Sequence, residues 1–481
     1  MRGINPSKHE LIRLRVFGLF IALAFGVLIL FLWRMQIGHG VDYQSSFEKQ
    51  SIRRIRLPGR RGKIFDRRGV CLADTNPNYC IAIYLEELRR IEGSGKLSAK
   101  AWRLIQQISA VIGKKPAITR SEIANHLASR TPLPILAWRN VSQETLARFA
   151  EASPHLPAAE IIIKPQRLYP WHTRACHLLG YVSTSQPQGE ESDCYHYYLP
   201  DMKGKRGIEK HFDKELAGKP GGALVRIDVS GFKYGEISRR PPIPGKDILL
   251  SIDLRMQELA EKALSGGVGA VTILDPHNGD VLALASSPGF DLADFSPFIS
   301  RKNWSQLLQD KHKPLLNRAV NGLYPPGSIF KPVIAIAGLE SKEVTEDTVL
   351  KCAGYINVGH HRFTCYNRTG HGWLGFQKAI EVSCNVFFYK LGLRTGYDYI
   401  YQTAHAVGIG RKTGIELDYE ASGLLPSREW VLQKYGRSWL AGDTCNISIG
   451  QGPLLVTPLQ MAVMTAAIAN DGYVYQPHLV L

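Results

Sequence analysis

The sequence predicts an α+β protein: an N-terminal transmembrane helix, an elongated β-rich membrane-proximal domain with a helical insertion, and a second α+β domain. Three observations predict it. One uncharged apolar run lies near the N-terminus. Residues 34 to about 245 are rich in short β-like runs broken by Gly and Pro, and beyond a Pro-rich break amphipathic helical spacing alternates with a hairpin pattern. With 481 residues, 44% hydrophobic and 21% charged, the chain is long enough for two or three buried cores and too apolar to be disordered.

Taken in order, Val16 to Trp33 carries no charge and approaches the ~20 residues a helix needs to cross the hydrocarbon core. Arg2, Lys8, Arg13 and Arg15 precede it, so the positive-inside rule leaves residues 1–15 in the cytoplasm and everything after Arg34 outside. No small-x-small cleavage site follows the run, which therefore reads as an uncleaved single-pass anchor rather than a signal peptide. Within 34–245, residues from about 86 to 155 have helical spacing and form the expected insertion between strands. The run RRPPIPGKD (239–247) marks a domain boundary near 245. In 246–481, DLRMQELAEKALSG reads as an amphipathic helix and GAVTILDPHNGDVLALAS as a hairpin turning at His277-Asn278-Gly279.

The net charge of +17, from 59 Lys+Arg against 42 Asp+Glu, suits nucleic acid, an anionic membrane or an acidic polymer such as a cell wall. The sequence has no nucleic-acid-type zinc-finger spacing, no RNA-binding aromatic signature and no single basic helix, and with the membrane helix this disfavours nucleic acid. Of the basic run Arg60, Arg61, Lys63, Arg67 and Arg68, most members read as a solvated face.

Chemistry enters at Ser328 and Lys331, in YPPGSIFKPVIA. Three residues apart at the entry of an apolar helix, the two side chains share one face. A lysine kept neutral by burial and nearby positive charge can take the proton of a serine hydroxyl, and a helix N-terminus favours negative charge developing there. Alone, Ser-x-x-Lys is weak, since an N-cap Ser with a solvated Lys gives the same letters. Ser383-Cys384-Asn385 strengthens it, because serine acyl-transfer enzymes of this type pair Ser-x-x-Lys with Ser-x-Asn.

Together with RGKIFDRRG (61–69), RLYPWHTRACHLLGYV (167–182), SIDLRMQ (251–257), LDPHNGDVLALASSPGFD (274–291), TGIELDYEASGLLPSREW (413–430) and SIGQGPLLVTPLQMA (448–462), these motifs resemble the class B penicillin-binding proteins over nearly the whole chain. The resemblance is strongest to their elongation-type branch, penicillin-binding protein 2. It implies a dimerisation or pedestal domain over 34–245 and a penicillin-binding, serine β-lactamase-like transpeptidase domain over 246–481. It further implies a D,D-transpeptidase that cross-links peptidoglycan stem peptides and is acylated by β-lactams. Ser328 would be the nucleophile, Lys331 its general base, Ser383 a proton relay to the leaving group and Asn385 a contact to the donor peptide. The oxyanion hole would use the Ser328 backbone N–H and one from a strand near a third, Lys-Thr/Ser-Gly motif. The expected location is the bacterial inner membrane with the catalytic domain outside, and the expected partners are a SEDS-type membrane glycosyltransferase and the elongation complex. A division-specific transpeptidase is disfavoured by GLYPPGS, SREW and SIGQG.

Lys412-Thr413-Gly414 has the letters of the third motif, but it lies in a segment that precedes the catalytic strand in the family and reads as a decoy. The chain reaches Leu481 before the motif is expected, so the transpeptidase domain reads as incomplete, with a non-catalytic scaffold of the elongation complex as the alternative. Of eight cysteines, Cys352, Cys365 and Cys384 join His371 in C-x12-C-x5-H-x12-C, a set compatible with tetrahedral zinc. On spacing alone a Cys352–Cys365 disulfide with an inert, buried Cys384 is the simpler reading. The resemblance favours a structural Zn2+, fastening the 352–371 loop to the helix that carries Ser383, while catalysis needs no metal. His360 and His361 read as surface neighbours. Cys71, Cys80, Cys176, Cys194 and Cys445, and the aromatic cluster Tyr195 to Tyr198, have no reading from spacing.

Overall fold

The structure is a computed structural model describing residues 8–38, 52–85, 88, 96–129, 133–153, 156, 158–185, 197–198, 201–227, 233–296 and 298–481. Its first helix, Lys8–Trp33, is exposed wherever its side chains are described, and the stretch Arg15–Ile37 is long and apolar enough to cross a membrane. A helix apolar on every face is stable only where no face meets water.

Beyond it the two largest sheets among the described residues have four and five strands. The first has the strand order Lys233–Arg240, Gly221–Ile227, Ile52–Leu57, Tyr197–Tyr198. In the second, Cys71–Ile83 pairs along its length with Ala159–Leu168, and also with Ile64–Phe65 and Ile135–Trp138. The insertion expected over 86–155 contains the helices Leu97–Ile112, Arg120–Ser129 and Gln143–Ala152. It is not wholly helical. Ile135–Trp138 is a strand paired with Ile81–Ile83, too short for its alternation to register, and its Trp138 is 1% exposed. Tyr197 and Tyr198 pair in parallel with Ile55 and Arg56, while Cys194, Tyr195 and His196 lie outside the described residues.

The Pro-rich break near 245 is not a free linker. Immediately after it, Ile248–Leu249 adds in parallel to Ile64–Phe65, and Asp66 accepts the backbone N–H groups of Arg68, Val70 and Leu254. Asp253 caps the helix Leu254–Ala263. The strands Gly269–Leu274 and Val281–Ser287 form the expected hairpin, closed by Gly279 N–H on the Asp275 carbonyl, with Gly279 at φ +87°. One apolar core runs through both parts, joining Ile64, Leu72 and Leu178 to Leu250, Leu284 and Leu479. A second, around Phe330, Ile334, Phe387 and Cys445, lies wholly in the C-terminal part and carries the functional site.

Arg60, Arg67 and Arg68 are exposed and Lys63 is half-buried, in keeping with a mostly solvated face, although each member of the run also meets a carboxylate. Arg61 is 2% exposed, with Nε 2.5 Å from Glu209 Oε2 and Nη1 2.7 Å from Asp213. Lys63 and Arg60 meet Asp74, Arg67 meets Asp280, and Arg68 meets Asp253. Arg167 reaches the other oxygen of Glu209 at 2.6 Å. Burial alone would neutralise Glu209, but the charges of Arg167 and Arg61 outweigh it and hold its pKa below the usual carboxylate range. Glu209→Ala leaves both guanidiniums buried without their carboxylate, and the expected loss is about 3–5 kcal/mol in denaturant unfolding of the detergent-solubilised protein. A loss below about 1 kcal/mol would show that the network is not structural.

Candidate active site and metal cluster

Ser328 sits in the tight turn Gly327–Phe330, which runs directly into the helix Lys331–Glu340. Phe330, Val333 and Ile334 are fully buried and fix this helix against Asn385–Thr395. The same packing drives Lys331 inside to 2% exposure while Ser328 stays exposed. Lys331 is therefore not the solvated lysine that its motif also allows.

Its ammonium donates to three acceptors: the Ser383 carbonyl at 2.7 Å, Ser383 Oγ at 2.9 Å and Asn385 Oδ1 at 2.8 Å. Ser383 Oγ in turn lies 2.9 Å from Ser328 Oγ and donates to it. The four expected catalytic residues are thus brought together, with Ser383 between the nucleophile and the lysine. Burial draws the Lys331 pKa down to about 8, opposed by Cys384 and Cys365. Desolvation is the largest cause of the shift, which agrees with the burial half of the expectation.

The opposite wall comes from the loop after the helix Ala441–Ser448. Gly327 N–H donates to the Gly450 carbonyl at 2.9 Å, and Tyr324 and Val456 bond each other's backbone. Gly450 is at φ +68°, and a Cβ there would stand 2.2 Å from the Gly327 oxygen, so only glycine lets this loop approach the serine turn. The sequence supplied SIGQG as a pattern without this contact.

Lys412-Thr413-Gly414 is in irregular structure, not a strand. The Glu420 carboxylate takes the Thr413 N–H and hydroxyl and the Gly414 N–H.

Cys352, Cys365, His371 and Cys384 come together with their four ligand atoms within 4.8 Å of one another. His371 Nδ1 is 3.6 Å from both Cys352 Sγ and Cys365 Sγ, and Cys365 and Cys384 sulfurs are 4.0 Å apart. A tetrahedral zinc with bonds of about 2.3 Å to sulfur and about 2.0 Å to nitrogen has S–N edges of about 3.5 Å and S–S edges of about 3.8 Å. The donor set fits that ion in size and chemistry. Cys352 and Cys365 are free thiols here. His360 closes the hairpin turn beside the exposed His361, and neither belongs to the cluster. Burial works against a Cys365 thiolate, but N–H groups of Val386, Asn367 and Asn385 outweigh it and lower its pKa. Burial, with Cys352 and Cys365 adding to it, pushes Cys384 up to about 12. A bound dication would reverse that balance.

An exposed serine, a buried lysine and a hydroxyl between them, on a helix covered by an apolar core, fit a serine acyl-transfer site. The sequence profile for the penicillin-binding protein dimerisation domain matches residues 56–250, and that for the penicillin binding protein transpeptidase domain matches 269–481. The chain belongs to the class B penicillin-binding proteins. It is similar to the peptidoglycan D,D-transpeptidase MrdA of Acinetobacter baumannii, 33% identical over 92% of this chain and 65% of that protein. It is also similar to that of Salmonella typhimurium, 34% identical over 96% of this chain and 74% of that protein. The chain thus spans about two thirds of the first relative's length and three quarters of the second's. Penicillin-binding protein 2 of Helicobacter pylori, solved in complex with MreC, superposes with a TM-score of 0.76 at 30% identity, covering 89% of this chain and 78% of that one. These likenesses favour the elongation-type enzyme over a non-catalytic scaffold.

Gly450→Ala should push the turn that carries Ser328 out of line. The expected result is acylation by a fluorescent penicillin slowed roughly 100-fold with the fold retained by circular dichroism. An unchanged rate would detach the SIGQG loop from the site.

Proposed function

We propose that this chain is an elongation-type peptidoglycan D,D-transpeptidase and β-lactam target, working through an acyl-enzyme on Ser328. The observation that carries the reading is the hydrogen-bonded path Ser328–Ser383–Lys331, ending on a lysine that burial holds near neutrality. Ser328 Oγ attacks the carbonyl of the penultimate D-Ala of the donor stem peptide, and its proton passes through the Ser383 hydroxyl to neutral Lys331. The Ser328 backbone N–H would supply one donor of the oxyanion hole, as the family resemblance implies. As the tetrahedral centre collapses, the proton returns along the same path to the departing D-Ala amine. An acceptor amine from a second strand then attacks the ester, giving its proton to Lys331, and the departing Ser328 oxygen takes that proton back through Ser383. Lysine has only donors, so Asn385 turns Oδ1 to Lys331 and presents its NH2 group to the donor peptide backbone.

Cys352, Cys365, His371 and Cys384 would hold a structural Zn2+. When bound, the ion cross-links the loop 352–371 to the N-terminus of the helix Asn385–Thr395 and takes no part in the acyl transfer. Dialysis of the metal-loaded protein against a strong chelator should lower its melting temperature by several degrees, and re-addition of zinc should restore it. A chelator-insensitive melt would leave the cluster as four packed side chains.

The helix Lys8–Trp33 anchors the chain in the bacterial inner membrane with residues after Arg34 outside, as its flanking charges favour. Partners would be a SEDS-type glycosyltransferase in the membrane and a MreC-type scaffold, the latter by analogy with the Helicobacter pylori complex.

Fluorescent penicillin should label wild-type protein at Ser328 by mass mapping and leave Ser328→Ala unlabelled. The labelling rate should also rise with pH. Below an apparent pKa of about 8 Lys331 is protonated and cannot accept the Ser328 proton, so the rate falls about tenfold per pH unit, and above it the rate levels off. A profile flat from pH 6 to 9 would remove Lys331 from the role of base.

A further inference from the structure

Tyr366 is 64% exposed and belongs to no motif, yet its hydroxyl joins the Cys/His cluster to the catalytic turn. Tyr366 Oη lies 2.7 Å from the Val382 carbonyl oxygen and 3.3 Å from His371 Nε2. The two rings meet edge to face with centroids 5.2 Å apart. A carbonyl oxygen only accepts, so the single phenolic proton is committed to Val382. Toward His371 the oxygen is then left as an acceptor, and Nε2 must carry a proton to bond it. In the neutral imidazole this leaves Nδ1 bare, and Nδ1 is the nitrogen that stands 3.6 Å from both Cys352 and Cys365.

On this chain of donors and acceptors we propose that Tyr366 is a positioning residue: it fixes His371 as the Nε2–H tautomer, with Nδ1 presented to a metal ion, and ties that ring to the backbone entering Ser383. The metal half of the inference rests on the zinc reading above, whereas the tautomer half does not. Val382 immediately precedes Ser383, which is held at φ +48°, a left-handed conformation that a side-chain-bearing residue keeps only when its neighbours impose it. Ser383 N–H donates to Ile380, Cys384 N–H to Ala379, and Lys331 grips the Ser383 carbonyl. The Tyr366 hydroxyl adds a hold on Val382 from the loop side. A displacement of His371 is therefore transmitted through one hydroxyl to the turn whose side chain relays the proton.

Tyr366→Phe removes only the hydroxyl, and Tyr355→Phe, on the neighbouring hairpin outside the cluster, is the control. Two readouts are taken on the full detergent-solubilised chain: Zn2+ affinity by competition with a chromophoric chelator, and the His371 tautomer by 15N NMR in metal-free and zinc-loaded protein. Wild type should show the Nε2–H form with and without metal. Tyr366→Phe should lose about 10–100-fold in zinc affinity and, when metal-free, show a mixture of tautomers, while Tyr355→Phe behaves as wild type. Penicillin acylation of zinc-loaded Tyr366→Phe should be slower with its apparent pKa unmoved, because Lys331 is untouched. If Tyr366→Phe keeps both wild-type zinc affinity and a pure Nε2–H tautomer, the inference is wrong. Should wild type bind no zinc, the metal reading fails, and the metal-free tautomers alone then decide whether Tyr366 positions the ring.

Discussion

The Glu209 carboxylate, enclosed between Arg61 and Arg167, is the constraint on which the arrangement of the molecule depends. Taking three charges out of water costs several kcal/mol per ion, and that cost is recovered only in a geometry that satisfies nearly every donor and acceptor. Here each guanidinium takes one carboxylate oxygen, Arg61 also donates to the Glu209 carbonyl, Arg167 donates to the Gly62 carbonyl and to Thr75, and Tyr169 approaches the carboxylate at 3.3 Å. Small displacements of any member leave a buried charge unpaired. The segment around Gly62 is therefore placed to within a hydrogen bond's tolerance.

From that segment the constraint passes into the catalytic part through backbone. Gly62 approaches the carbonyl of Lys246 so closely that a Cβ would stand 1.9 Å from its oxygen, and two residues on, Ile64–Phe65 receives Ile248–Leu249 as a parallel strand. Asp66 then anchors the first N–H of the helix Leu254–Ala263, which packs on the hairpin strand Val281–Ser287. The core shared across this junction contains Leu178 and Ile208 from one side and Leu250 and Leu284 from the other. The segments before and after the Pro-rich break are thus joined by a ladder, a buried carboxylate and a common apolar core.

Sequence made the local half of the site legible. Ser328 and Lys331 are one turn apart, so their common face follows from helix geometry, and Ser383 with Asn385 follows from a motif of the same reach. The burial of Lys331 was not legible, because it depends on Phe330, Val333 and Ile334 meeting Phe387 across some fifty residues of chain. The pairing of Ile248–Leu249 just past the Pro-rich run was not legible, because a two-residue parallel strand has no periodicity. Nothing near Arg61 in sequence announces Glu209 or Arg167 as its partners. Tyr366 gave no signal at all: a lone tyrosine in a polar loop acquires meaning only from the carbonyl and imidazole that the fold brings to its hydroxyl.

Ser383 sits on strained backbone, and that explains why so many unrelated groups converge on it. A left-handed residue with a side chain costs about 1–3 kcal/mol, and the turn 380–384 relaxes unless it is held. Helical carbonyls hold it from below, Lys331 from the nucleophile's side, and Tyr366 from the loop that carries His371. Cys384 closes the circle, since it both caps the helix Asn385–Thr395 and offers its sulfur to the Cys/His cluster. A metal ion there would act on the reaction without touching it, by keeping the Ser383 hydroxyl within hydrogen-bond reach of both Ser328 and Lys331. The strain and its supports are one device: a hydroxyl placed by four independent holds needs no reorganisation when the proton moves, and avoiding reorganisation is the larger part of what such a site contributes to the rate.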